Sequence, residues 1–323
     1  MTNGPFEIVR PSTAEESADE RRRRAADAFH GEAAEQSLSR ELRQCDHTLA
    51  ETAAGYVVDA DLATAMNMAL CVRAPLLVTG EPGTGKTQAA YHLAWLLGID
   101  LLRFQARSTS TANDLRYDFD AVGYLRNAQD PEEDRSPRSA YVQRRELWQA
   151  YEAEHRCVLL IDEIDKAPRD FPNDLLRELD EHHFKDPFAA PGQPDDVVPK
   201  AGPPIVVATS NAERRLPDAF LRRCIAHHIE IDEPFLTRVV SARLDAFPRL
   251  DEDVRRRAVE LFFELRNEDL AHVPSTAELL TWLATLSARG ADRGALDRPL
   301  AELPGIQALI KDHQDRARLR ELR

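Results

Sequence analysis

The chain has 323 residues, is 43% apolar and 30% charged, and carries a formal net charge of −14. That length has room for a sizeable core, expected as one large and one small domain, while the acidic balance argues against a protein whose main task is to coat nucleic acid. No apolar run approaches the ~18 residues of a membrane span, and the polar start MTNGPFEIVRPSTAEES lacks the apolar stretch of a secretory leader, so a cytoplasmic location is expected.

Residues 1–45 are polar, rich in Arg, Glu and Ala and poor in large aliphatics, and read as an extension that is part helical and part disordered. Its block RRRR at 21–24 is bracketed by acids and is expected to be a solvated helix face. The core begins near GYVVDADLATAMNMALCVRAPLLVTG, where a helical stretch from Asp59 leads into a short buried strand, Pro75 to Thr79.

Next comes GEPGTGKT, residues 80–87. Gly80, Gly83 and Gly85 let the backbone turn tightly and aim successive N–H groups at an anion, and Lys86 and Thr87 open a helix (Gln88 to Leu97) whose start carries partial positive charge. The spacing Gly80-x-x-x-x-Gly85-Lys86-Thr87 fits the P-loop pattern, in which the lysine reaches the outer phosphates and the hydroxyl holds Mg²⁺. The nucleotide-binding stretch is therefore expected to run from Gly80 through Glu81, Pro82, Gly83, Thr84, Gly85, Lys86 and Thr87 to Gln88.

Beyond it, short apolar runs alternate with helical stretches: LLRF (101–104), CVLLI (157–161), PIVVAT (204–209) and HHIEI (227–231). This alternation predicts a mostly parallel sheet covered on both faces, with ligands at the carboxyl ends of its strands. CVLLI delivers Asp162 and Glu163 to that edge, the first as a Mg²⁺ ligand and the second as general base or water orienter. PIVVAT delivers Ser210 and Asn211, where a polar side chain can contact the attacking water or the γ-phosphate. Arg222 and Arg223 end a short helix before the last strand, and one of them can stabilise transition-state charge, in a neighbouring copy if it faces away from its own loop. From Pro234 onward the pattern is wholly helical. The charged stretch 130–145 and the stretch 184–204, with its six prolines, read as surface insertions. The four cysteines are scattered with no C-x-x-C pair for zinc, and Cys157 and Cys224 are expected as small buried hydrophobes.

Through GEPGTGKT, LLIDEIDKAP (159–168), TSN (209–211), LPDAFLRRC (216–224) and PSTAELLTWL (274–283), residues 50–320 resemble the AAA+ ATPases, and among them the MoxR branch. The resemblance implies an αβα ATPase domain (46–232) and a helical lid (233–323) after the extension 1–45. It also implies ATP and Mg²⁺ bound between subunits of a hexameric ring, and hydrolysis spent on remodelling a protein partner, in this group often one with a von Willebrand factor A domain. Lys86 and Thr87 take the Walker A roles, Asp162 and Glu163 the Walker B roles, Asn211 that of sensor 1 and Arg223 that of the arginine finger, with Arg222 in reserve; Val57 and Val58 fall where such proteins contact adenine. Residues 110–129 match an additional helical insert and 184–204 a hairpin, both facing a client or the pore. Where the branch carries a sensor 2 arginine, this sequence has Ala277, which implies slow turnover. The alternatives are a nucleotide-gated scaffold in a bacterial conflict system and, disfavoured by the charge, a nucleic-acid motor.

Overall fold

The computed structural model describes residues 7–12, 16–38, 52–129 and 137–321; Cys45, the expected boundary near residue 45 and residues 130–136 of the charged insertion lie outside them. By compactness the chain forms two units. The first holds the residues up to Ala54, Ala60–Thr79 and Thr87–His227; the second holds Gly55–Asp59, Gly80–Lys86 and His228–Arg323.

The first unit is built on a five-stranded sheet in the order β2-β5-β8-β1-β9, from β1 (Leu76–Gly80), β2 (Leu101–Gln105), β5 (Val158–Asp162), β8 (Ile205–Ser210) and β9 (Ile225–Ile229). The pairs β1·β8, β2·β5 and β5·β8 are parallel. Every residue of β5 and β8 is buried, as strands covered on both faces must be. Before the sheet come α1 (Ala18–His30), α2 (Ala34–Leu38) and α3 (Ala60–Val72), and α4 (Lys86–Leu97) follows β1. The helices α5 (Ala112–Arg116), α6 (Ala121–Gln129), α7 (Glu146–Glu152), α8 (Phe171–Asp174), α9 (Leu176–Glu181) and α10 (Asp218–Leu221) complete this unit. A buried hydrophobic cluster of this unit packs Phe104, Trp148, Tyr151, Leu159, Ile161, Phe171 and Phe220.

Three expectations need correcting. The last strand is Ile225–Ile229, two residues earlier than HHIEI, because Ile225 N–H donates to the Pro75 carbonyl at 2.9 Å and so sets where the edge strand begins. The charged insertion is not all loop: β4 (Val142–Arg144) pairs antiparallel with β3 (Tyr117–Phe119), whereas 184–204 forms the hairpin expected of it, from β6 (Phe184–Lys185) and β7 (Asp196–Val197). Nor is the arginine block a solvated face. Arg21, Arg22 and Arg24 are half-buried and donate to the carbonyls of Ala54, Trp95 and Ile8.

The second unit is helical from Asp232 on, with α11 (Glu233–Ser241), α12 (Glu252–Arg266), α13 (Thr276–Arg289) and α14 (His313–Glu321). Asp232 caps α11 by accepting from Phe235 N–H at 2.6 Å, and Ser275 with Glu278 forms a capping box at α13, each satisfying amides that an open helix start leaves bare. Val254, Leu261, Phe262 and Leu265 of α12 and Leu279, Trp282, Leu283 and Leu286 of α13 are buried at the apolar spacing of amphipathic helices. This is the mixed α/β core with a small helical lid. Among the described residues no helix is long and apolar enough to cross a membrane.

Candidate functional site

The glycine loop belongs to the second unit. Gly80, Gly83 and Gly85 have φ of 151°, 77° and 93°, a region where side chains are strained. A Cβ on Gly85 would lie 3.1 Å from the Tyr56 ring, and one on Gly83 would lie 2.6 Å from Ser275 Oγ. Thr84, buried, donates its hydroxyl to the Glu81 carbonyl at 2.9 Å, while Pro82 and Gly83 are exposed. Lys86 is 6% exposed, and its ammonium donates to the carbonyls of Gly80 at 2.9 Å and Glu81 at 2.7 Å. A buried cation folded over bare backbone at a helix start is a donor set suited to phosphate. Val57 and Val58 are buried in the same unit beside Tyr56.

Thr87, the next residue of α4, belongs to the first unit and meets the acids there. Asp162, 2% exposed at the end of β5, has both carboxylate oxygens engaged. Thr87 donates to Oδ1 at 2.8 Å and Thr209 at 2.6 Å; Arg103 of β2 donates to Oδ2 from Nε at 3.2 Å and Nη2 at 2.7 Å. A hydroxyl beside a carboxylate oxygen offers the hard oxygen ligands that Mg²⁺ takes, so these residues fit the ion.

Glu163 turns the chain out of the strand with φ of 56°, a left-handed conformation that costs a side-chain-bearing residue on the order of 1–3 kcal/mol. Its surroundings hold it there. The Glu163 N–H donates to Thr209 Oγ1 at 2.8 Å, and its Oε2 accepts from Gln105 Nε2 at 2.5 Å and Lys166 Nζ at 2.8 Å. The Glu163 hydrogen bond in turn raises the pKa of Lys166 above the usual lysine value.

Asn211 follows β8, half-buried, with Nδ2 3.4 Å from Glu213; Ala212 after it also has positive φ, 59°. Arg223 donates to Asp180 at 2.5 Å and to the Ala219 carbonyl at 2.9 Å, and Arg222 is exposed. The first unit thus brings together Thr87, Asp162 and Glu163; the bonds of Asn211 and Arg223 go elsewhere. Arg103, Gln105 and Thr209 escaped the sequence reading. Their signal was the i, i+2 spacing of Arg103 and Gln105 at the end of β2, where Gln105 registers opposite Asp162.

A parallel sheet with paired acids at one strand's carboxyl end and a glycine loop running into a helix defines a P-loop nucleotide-binding domain. The model of the ATPase family associated with various cellular activities (AAA) matches residues 76–233. Over those residues, just under half of its length, the chain is similar to that family. A curated relative described as a ClpA homolog protein, from Fuscovulum blasticum, is 28% identical over 249 residues, covering 73% of this chain. The chain spans 28% of that relative's length. A crystal structure of a candidate ATPase from Cytophaga hutchinsonii aligns with 80% of this chain and 83% of its own at 17% identity and a TM-score of 0.37, too loose a match to add to the fold already described.

Proposed function

We propose that this protein binds and hydrolyses ATP with Mg²⁺ and uses the cycle to remodel or activate a protein partner, as a MoxR-like member of the AAA+ ATPases. The observation that carries the reading is Asp162, held by Thr87 from the phosphate-loop helix while Glu163 follows it in a left-handed turn. Lys86 and the backbone N–H groups of Gly83, Thr84 and Gly85 would hold the phosphates, and Thr87 and Asp162 the metal, which supplies charge neutralisation. Glu163 would orient and deprotonate water once its carboxylate leaves Gln105 and Lys166. Asn211 would contact the same water or phosphate, Arg223 would serve a neighbouring copy with Arg222 as its substitute, and Val57 and Val58 would flank adenine. Remodelling by a ring, hexameric in this branch, and a partner with a von Willebrand factor A domain are carried over from the motifs shared with the MoxR group.

A Glu163→Gln variant tests this. It should bind ATP as the natural chain does yet release phosphate at least ~10²-fold more slowly, the scale of losing a positioned base. Equal turnover would remove Glu163 from the chemistry. A second reading, a nucleotide-gated scaffold, is favoured by the two donors that occupy the Glu163 carboxylate. It requires biological function to survive in Glu163→Gln with assembly still dependent on ATP.

A further inference from the structure

Glu81 places a carboxylate inside the glycine loop, beside the position proposed above for a polyanion. Taken alone, that charge opposes binding. One guanidinium answers it: Arg266, the last residue of α12, donates from Nη2 to both Glu81 oxygens, at 2.8 and 3.1 Å. Arg266 is itself well placed, its side chain 12% exposed, its Nη1 donating to the Pro274 carbonyl at 2.5 Å and its guanidinium 5.7 Å from the Phe262 ring centroid. Pro274 immediately precedes Ser275, the residue against which Gly83 is packed. The end of α12, the start of α13 and the first turn of the phosphate loop therefore meet at one guanidinium.

From this geometry we infer that Arg266 is a positioning residue for nucleotide binding: it neutralises Glu81 and holds that carboxylate away from the phosphates. The inference rests on the ATP-binding reading above. It assigns a role to a lid arginine that no sequence motif marked, in a chain that has Ala277 where its look-alikes carry one. Arg266 acts through Glu81 and does not itself touch nucleotide. Two consequences separate it from a structural strut. Removing the carboxylate must rescue removal of the guanidinium, and the defect must shrink as salt screens the repulsion.

The test is titration of a fluorescent ATP analogue, with Mg²⁺, at low and moderate salt, alongside thermal unfolding of the free proteins. Arg266→Ala is expected to bind roughly fivefold more weakly at low salt, the range of a well-formed ion pair, and less weakly at higher salt. Glu81→Gln is expected to bind at least as tightly as the natural chain, the double variant to return to within about twofold of it, and Arg266→Lys, which keeps the charge, to stay near it. The inference is overturned if Glu81→Gln fails to rescue, if Arg266→Ala binds normally, or if Glu81→Gln alone loses affinity. Should Arg266→Ala not fold, Arg266→Gln, which also removes the charge, takes its place alone and paired with Glu81→Gln, under the same criteria. Failure of the natural chain to bind the analogue at all would instead defeat the ATP-binding reading.

Discussion

Asp162 can keep both carboxylate oxygens buried only because three donors surround it, and of these Thr209 does the most varied work. Its hydroxyl donates to Asp162 at 2.6 Å while accepting from the Glu163 N–H at 2.8 Å. One Oγ thereby fixes both acids, and it stabilises the left-handed turn that aims the second. Thr209→Val keeps the shape and removes both bonds, leaving a buried carboxylate oxygen one donor short and an amide unpaired, at a cost of about 1–3 kcal/mol. The melting temperature should fall by roughly 2–4 °C per kcal/mol lost, as for domains of this size, and ATP turnover should fall with it. Thr209→Ser should recover both properties. A valine variant with unchanged melting and turnover would show that the hydroxyl positions neither acid. The sequence made Asp162 and Glu163 legible because an apolar run ending in acids is a local pattern. Thr209 was not legible, since its role depends on the β5·β8 register and not on its own neighbours.

Helix α4 depends on partners at both ends. Its last turn exposes carbonyls and partial negative charge, and α1 and α2 answer them. Arg22 Nε donates to the Trp95 carbonyl at 3.0 Å, the His30 ring is 2.7 Å from the Leu97 carbonyl, and Ser37 donates to the Gly98 carbonyl at 2.5 Å. These bonds span 61 to 73 residues of sequence, which is why RRRR looked like a solvated face: a run of arginines reads alike whether water or a distant carbonyl receives it. The glycine loop and its helix, by contrast, were plain from spacing alone. Within α4, His92 is 2% exposed and its Nδ1 bonds the Ala53 carbonyl at 2.8 Å, so that nitrogen must carry the proton. Burial, helped by the charge of Arg21 and opposed by the Ala53 bond, lowers its pKa to about 4. Between that value and the ordinary ~6.5 the unfolded chain takes up a proton that the native state refuses, so stability falls as pH drops through this window, by about 2 kcal/mol at pH 5. Melting followed from pH 7 to 5 should decline less steeply in His92→Gln than in the natural chain. Parallel slopes would assign the decline to the carboxylates instead.

Arg223 raises the question of how many copies make one working site. Its guanidinium bonds Asp180 and the Ala219 carbonyl, with neither Asp162 nor Glu163 among its partners, although an arginine that stabilises a transition state has to reach the transferred phosphoryl group. The proposed resolution is that it reaches a neighbour's nucleotide, which requires a head-to-tail contact that repeats around a closed ring. Complementation separates this from action within one chain. Glu163→Gln and Arg223→Ala chains should each be nearly inactive alone, since one lacks the base and the other supplies no arginine. When they are co-expressed, an Arg223→Ala chain with its Glu163 intact can receive Arg223 from an adjacent Glu163→Gln chain. Random assembly then pairs a good base with a good arginine at about one quarter of the interfaces of a heterologous ring. Phosphate release from the mixture should rise toward that fraction of the natural rate, and it should vanish when a dilution that dissociates the assembly is used. Mixtures no more active than their parents would place Arg223 outside any shared site and confine whatever it does to its own chain.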